Sequence, residues 1–273
     1  MSPRLSYSLF MLLALGVFLL ARRLQPRPPS VMVLPRRQRV ALGLAAFIGG
    51  VLGAKVGYFL ANVTAWSLDL GWLADGKTVV TGLAFAYLAV ELTKLSLGVR
   101  VKTGDGLALP LALALAVGRW GCFCNGCCYG VPTTLPWGVV FHDGVPRHPT
   151  QLYESLFHCT TAVVLLLLAR VDALPTHRLQ LYLIAYGAYR FLTEYVRPEP
   201  PWLLGLTFYQ WAALVLATAL AGQWAWEVCS RMRQSPWRLD IYPRRPLNAQ
   251  RKRAETLTQV EPQAEGAQEK KCR

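Results

Sequence analysis

Charge is what this chain most lacks. Only 16% of its 273 residues are charged, against roughly 25% in an ordinary soluble domain, which excludes a conventional solvent-facing globule. Acids are scarcer than bases, with 15 Asp and Glu against 29 Lys and Arg. Histidine is limited to four residues, so imidazole metal ligands and bases are few. Tandem repeats are missing. The cysteines are seven, and four of them crowd into Cys122–Cys128, which is not the spacing of a disulfide-stapled secreted domain. No small-x-small cleavage site follows the first apolar run, and Arg22-Arg23 come directly after it. That run therefore reads as a retained span and not as a cleaved signal.

Apolar sequence is what the chain has in abundance: 53% of its residues are hydrophobic. A helix needs roughly 20 mostly apolar residues to cross the hydrocarbon core. Runs of that kind cover about Leu5–Ala21, Val40–Ala61, Thr78–Leu97, Leu107–Phe123, Gln151–Ala169, Leu179–Val196 and Leu203–Trp226. The fold class expected is all-α: a polytopic integral membrane protein of about seven transmembrane helices. A net charge of +14 can mark a nucleic-acid binder, but here the bases flank apolar runs. They point to a membrane carrying anionic lipid and to no nucleic acid.

The bases also set an orientation, because Lys and Arg concentrate in cytoplasmic loops. The loop after the first run holds Arg22, Arg23, Arg27, Arg36, Arg37 and Arg39; later loops with Arg100, Lys102, Arg170 and Arg178 fall on the same side by alternation. The segment Asn62–Lys77, with two acids and one lysine, falls on the other. The N-terminus is expected outside and the C-terminus in the cytoplasm. Residues 1–230 form the seven-span domain. Residues 231–273 contain 11 of the 29 bases and read as a basic, disordered cytoplasmic tail.

Charged residues inside spans cost several kcal/mol each, so each needs a reason. Arg119 closes the fourth run. The fifth opens with Arg147-His148-Pro149-Thr150-Gln151-Leu152-Tyr153-Glu154, where Pro149 suits a first helical turn. Arg147, Gln151, Glu154 and His158 recur at steps of three and four, which places them on one helical face. The sixth run carries Tyr182, Tyr186, Arg190 and Glu194 at four-residue steps, with Arg197 three further on, and Lys55 lies in the second, near Tyr58. Arginines, a lysine and carboxylates from separate spans thus fall at one depth, near the outer face. The excess of arginine suits an anionic ligand, because guanidinium binds phosphate through paired hydrogen bonds. A phospholipid headgroup is the natural ligand there. Glu91 and Lys94, at the other end of the third run, read as a structural ion pair.

The long connection Gly118–Pro149 holds the cysteines. Cys124 and Cys127 form a C-x-x-C that resembles the start of a zinc site, but no second C-x-x-C follows. Three readings of Cys122, Cys124, Cys127 and Cys128 stay open: metal ligands, a redox pair, or small side chains that permit tight packing. No metal and no cofactor is expected from the remaining residues.

At these residues the chain resembles the prolipoprotein diacylglyceryl transferase family. Gly118-Arg119-Trp120-Gly121, followed by Asn125-Gly126, is similar to the family's G-R-x-G-N-F-x-N-G segment. Arg147–Glu154 resembles its longest signature, Ala185–Phe191 with Glu194 and Arg197 its Y-G-x-x-R-F-x-x-E-x-x-R segment, and Gly205-Leu206-Thr207 with Gln210 the start of its last span. Gly49–Asn62 is similar to its second span, with Lys55 where an Arg is common. The resemblance implies a bacterial enzyme of the cytoplasmic (inner) membrane with seven spans. It would move the diacylglyceryl group of phosphatidylglycerol to the lipobox cysteine of a prolipoprotein. Arg119, Arg190 and Tyr186 would be catalytic. Asn125, Arg147, His148, Gln151, Tyr153, Glu154, Glu194, Arg197 and Lys55 would bind substrate. The family's H-G-G segment reads Val79-Val80-Thr81-Gly82-Leu83 here, without histidine, and Cys122 and Cys127 stand where the family has Asn and Glu. Two other readings share these residues: a paralogue using the same lipid with another acceptor, and a non-catalytic lipid-binding or redox-responsive membrane protein.

Overall fold

The computed structural model describes residues 3–25, 33–61 and 78–234. The helices are α1 (Pro3–Leu24), α2 (Arg36–Ala61), α3 (Val79–Ser96), α4 (Asp105–Cys124), α5 (Thr150–Arg170), α6 (Arg178–Thr193) and α7 (Phe208–Gln234). Six of them, all but α6, are long and apolar enough to cross a membrane. Large apolar side chains such as Leu12, Leu88, Leu156 and Val215 are exposed on them, as expected where the surrounding solvent is lipid. The chain is a multi-pass helical membrane protein. It divides at Ala225 into two units, residues 1–225 and 226–273. Of the second unit, only the end of α7 lies among the described residues. The expected disordered tail, the segment Asn62–Lys77 and part of the first basic loop lie outside them.

The sixth expected span differs from its sequence reading. α6 has 16 residues, about 24 Å of helix, and tightens into a 3-10 turn at Glu194–Val196. It can be short because it is sheathed in protein: Tyr182, Leu183, Tyr186 and Arg190 are buried, and non-lipid-exposed irregular backbone is tolerated at membrane depth. Two short antiparallel ribbons also join the helices. β1 (Val139–Val140) pairs with β2 (Pro146–Arg147), and β3 (Pro201–Leu203) pairs with β4 (Leu206–Thr207).

Helix pairs are set by small residues. Gly49, Gly53 and Gly57 make a four-residue stripe that is buried on α2. A Cβ at Gly49 would lie 2.6 Å from that of Ala89, and one at Gly53 would lie 2.7 Å from the carbonyl of Thr81. The stripe therefore lets the α2 backbone approach α3, the packing device of membrane helices. α1 packs along α4, and α4 along α5. Pro110 sits inside α4 and has no N–H to give the carbonyl four residues back. That carbonyl, of Gly106, accepts a hydrogen bond from Arg22 Nη1 on α1 at 3.0 Å. Asp105 ties α4 to α6 by accepting the amides of Thr176 and Arg178 at 2.5 and 3.0 Å. Glu91 and Lys94 form the expected pair, at 2.9 Å.

Candidate functional site

The site is built where α4 ends, α5 begins and α6 ends. Glu154, 1% exposed on α5, is its hub. Its Oε1 lies 2.5 Å from Arg119 Nη2 of α4 and accepts the Tyr186 hydroxyl of α6 at 2.6 Å. Its Oε2 lies 4.0 Å from Arg190 Nη1. Arg190 turns its other nitrogen to Glu194 at 2.8 Å, and Arg197 Nε lies 3.8 Å from the same carboxylate. Four segments of chain thus contribute to one buried network, and each charge in it has an opposite neighbour. Three guanidiniums against two carboxylates leave one positive charge over. The Nε atoms of Arg119 and Arg197 are buried and have no hydrogen-bond partner, so two donors stay available to an anion.

The support behind this network is local. Thr207 and Gln210 form a capping box at the start of α7: the Gln210 amide donates to Thr207 Oγ1 at 3.2 Å and the Thr207 amide to Gln210 Oε1 at 2.9 Å. The same Thr207 hydroxyl donates to Glu194 Oε1 at 3.4 Å, so the helix cap also orients a carboxylate of the site. Behind Glu154, the fully buried His158 has Nδ1 2.9 Å from the Tyr182 hydroxyl and Nε2 3.8 Å from Glu154 Oε1. Tyr182, His158, Thr207 and Gln210 were not singled out as site residues in the sequence, although His158 and Tyr182 lie on the faces that carry Glu154 and Arg190.

The connection from α4 to α5 is folded by backbone bonds. Gly130 donates to His148 at 2.8 Å and Val131 to Val196 at 2.9 Å. Arg147 stands here, on β2 and not on the α5 face expected for it. The helix starts only at Thr150, because Pro149 holds ψ near 68° and breaks the extrapolated period. Arg147 pairs with Asp143, sits 5.0 Å over the Tyr129 ring and donates to the Gly130 carbonyl at 3.3 Å. The hydrogen bond that Arg147 donates to Asp143 holds the Asp143 carboxyl below its ordinary range. His148 Nδ1 and Trp137 Nε1 meet the Tyr153 hydroxyl at 3.2 and 2.8 Å. Lys55 lies half-buried on α2, whereas the arginine–carboxylate pairs run among α4, α5, α6 and the 3-10 turn. Glu199, beyond that turn, has its carboxyl pushed up by burial.

The cysteines are arranged by the end of α4. Gly126 has φ +65°, the Gly126 amide bonds to the Phe123 carbonyl at 3.0 Å and the Cys127 amide to the Cys122 carbonyl at 3.1 Å. These two bonds define a Schellman cap, which folds the residue after the glycine back over the last turn. Cys127 is therefore brought to Cys122, and a second left-handed residue, Cys128 at φ +62°, brings its own thiol in. The Sγ atoms of Cys122, Cys127 and Cys128 lie within 4.8 Å of one another. Cys124 is exposed outside this triad, so the C-x-x-C pairing of Cys124 with Cys127 is not the one formed. Asn125 is the cap residue of α4. Gln151 Nε2 and the Thr150 hydroxyl each donate at 2.6 Å to the carbonyls of Cys127 and Cys128, which fastens the thiol turn to the first turn of α5. Hydrogen bonding from Cys122 and Cys127, with the nearby charges of Arg119 and Arg197, draws the Cys128 thiol well below its ordinary range.

The family model for prolipoprotein diacylglyceryl transferase matches residues 5–226. The chain belongs to the prolipoprotein diacylglyceryl transferase family. Relatives named phosphatidylglycerol–prolipoprotein diacylglyceryl transferase include that of Bordetella bronchiseptica, 35% identical over 64% of this chain and 72% of the relative. Those of Polynucleobacter asymbioticus and Cupriavidus metallidurans are each 32% identical, over 75% and 81% of this chain and 84% and 88% of their own.

Proposed function

We propose that this chain transfers the diacylglyceryl group of phosphatidylglycerol to the lipobox cysteine thiol of a prolipoprotein in the bacterial cytoplasmic membrane. The observation that carries this reading is the pair of buried, unpartnered guanidinium nitrogens on Arg119 and Arg197, within a network of net positive charge. Arg119 and Arg190 take the lipid phosphate, and the unpartnered Nε atoms of Arg119 and Arg197 supply further donors to it. The thiol sulfur attacks the terminal carbon of the diacylglyceryl group, the thiol proton leaves to solvent, and the C–O bond breaks with its electrons on the departing glycerol phosphate. The arginines offset that charge as it grows; a preorganised donor of this kind is worth ~10²–10³ in rate. Glu154 and Tyr186 hold the arginines in place, while Gln151, Asn125, His148, Tyr153 and Lys55 shape the approach of the headgroup and the acceptor. Arg147 and Glu194 order the surrounding chain. In this reading the chain has seven spans, α6 being the sixth of them, with the site near the outer face, the N-terminus outside and the basic tail from residue 231 in the cytoplasm.

One observation favours a second reading, with the same lipid and another acceptor. Cys122 and Cys127 occupy family positions for Asn and Glu beside the site. Incubation of the purified protein with phosphatidylglycerol vesicles and a lipobox peptide separates the two. Thioether-linked peptide with release of glycerol phosphate is the expected result. Headgroup release without modified peptide would favour the second reading, and no turnover would refute both.

A further inference from the structure

Three thiols at one point are more than the transfer reaction uses. Zinc binds thiolates at about 2.3 Å, so the sulfurs of a tetrahedral site stand about 3.8 Å apart. The Sγ atoms of Cys127 and Cys128 are 3.8 Å apart, and Cys122 completes a set within 4.8 Å. Moreover, the triad is framed by bonds that do not involve sulfur. The Schellman cap holds Cys127 over Cys122, and Gln151 and Thr150 clamp the two neighbouring carbonyls. Bringing the ligands together is thus already accomplished by the fold. Thiolates select soft ions such as zinc, and three protein ligands leave a fourth place for an outside one.

We propose that Cys122, Cys127 and Cys128 form a site for a thiophilic divalent metal ion of the zinc type, whose fourth ligand is the acceptor thiol. The proposal rests on the transferase reading for the identity of that fourth ligand, but not for the metal site itself. Cys128 is exposed, so an incoming thiol reaches the triad from solvent. The turn is anchored to α5 only one turn from Glu154, so the triad borders the arginine network. On binding, the acceptor thiol gives its proton to solvent and stays as metal-bound thiolate. Its sulfur lone pair then forms the bond to carbon, while the C–O electrons leave with glycerol phosphate. The ion would thus supply the activation of the acceptor thiol.

The full chain, purified in detergent under reducing conditions, is titrated with zinc, and thiol alkylation is mapped by mass spectrometry. One equivalent of zinc is expected, protecting Cys122, Cys127 and Cys128 while Cys124 and Cys159 stay reactive. Cys122→Ser and Cys127→Ser each weaken zinc binding by roughly tenfold or more, and Cys124→Ser does not. In protein loaded with cobalt, the thiolate-to-metal absorption rises on addition of a lipobox peptide and not of its serine counterpart. No bound zinc, equal protection of all cysteines, a Cys122–Cys127 disulfide with no metal, or an unchanged cobalt spectrum would each overturn the proposal. Protection in the unmutated chain needs no variant, so a poorly folded mutant does not decide the matter. Bound zinc without lipid turnover would count against the transferase reading and leave the metal site standing; turnover without any metal would do the reverse.

Discussion

Arg119 of α4 and Glu154 of α5 meet at 2.5 Å with the carboxylate 1% exposed. An ion pair so enclosed is sustained by its other contacts: Tyr186 bonds the same oxygen and Arg190 faces the other one. Removing the carboxylate charge leaves the buried Arg119 guanidinium without an anionic partner, while Arg190 keeps Glu194. Glu154→Gln, which keeps the shape, is expected to destabilise the protein by about 3 kcal/mol and to abolish turnover. Thermal denaturation in detergent checks the first outcome. A variant as stable as the parent would show that the pair is not the hub described.

Charge alone does not explain the arginines. Arg119→Lys and Arg190→Lys keep the charge but lose the planar fork, and each is expected to lower turnover by more than about tenfold, or ~1.4 kcal/mol of barrier. Arg170→Lys, at the exposed far end of α5, serves as the comparison and should stay near the parent rate. Similar rates in all three variants would remove the arginines from the phosphate role.

The Asp143–Arg147 pair gives a pH dependence with a definite sign. The Asp143 carboxyl is held below its ordinary value by the hydrogen bond from Arg147. Its contribution to the β1–β2 ribbon is therefore present above the unfolded value, about 3.9, and is lost as pH falls through the lower folded one. Hydrogen exchange at the amides of residues 139–147 should be faster in Asp143→Asn than in the parent at neutral pH. The difference should vanish in strong acid. A constant difference across that range would deny the pair its part.

The capping box at α7 has a reach beyond its helix. Thr207→Ala removes the cap, which is worth about 1 kcal/mol, and also the bond to Glu194. A modest loss of thermal stability is expected together with a rise in the KM for phosphatidylglycerol. A stability change with unaltered kinetics would confine the cap to a structural role.

Sidedness follows from the basic loops. Cysteines placed at Ser30 and Thr258 should resist an impermeant thiol reagent in intact cells, whereas Cys124 should react. Efficient labelling at either introduced position would reverse the orientation.

Much of this site is legible in the sequence. Arg119, Glu154, Arg190 and Glu194 stood out because charge inside an apolar run demands a partner, and the helical period put Gln151 with Glu154 and Tyr186 with Arg190. Arg147 was misplaced because that period was carried back across Pro149, where the backbone has already left the helix. α6 was read too long, since apolar composition does not show where the last turn tightens at Glu194. The cysteine cluster is legible in the sequence, but the C-x-x-C spacing points to Cys124 as the partner of Cys127, where the fold brings Cys122 and Cys128. The signal for that arrangement was Asn125-Gly126, a helix stop that returns the chain so that positions 122 and 127, five apart, become neighbours. The partnership of Thr207 with Glu194 had no sequence signal, because it depends on where α7 is laid against the end of α6.

The hydrogen bond from Arg22 to the Gly106 carbonyl has a bearing on how the molecule is made. Pro110 deprives that carbonyl of its own helix's donor, and the replacement comes from a segment more than 80 residues earlier in the chain. The donor on α1 is made long before its acceptor on α4, and the bond can form only once both helices exist. The packing of α1 along α4 therefore belongs to a later stage of assembly than the making of α1 itself. A chain stalled before residue 106 would hold its first helix without this contact.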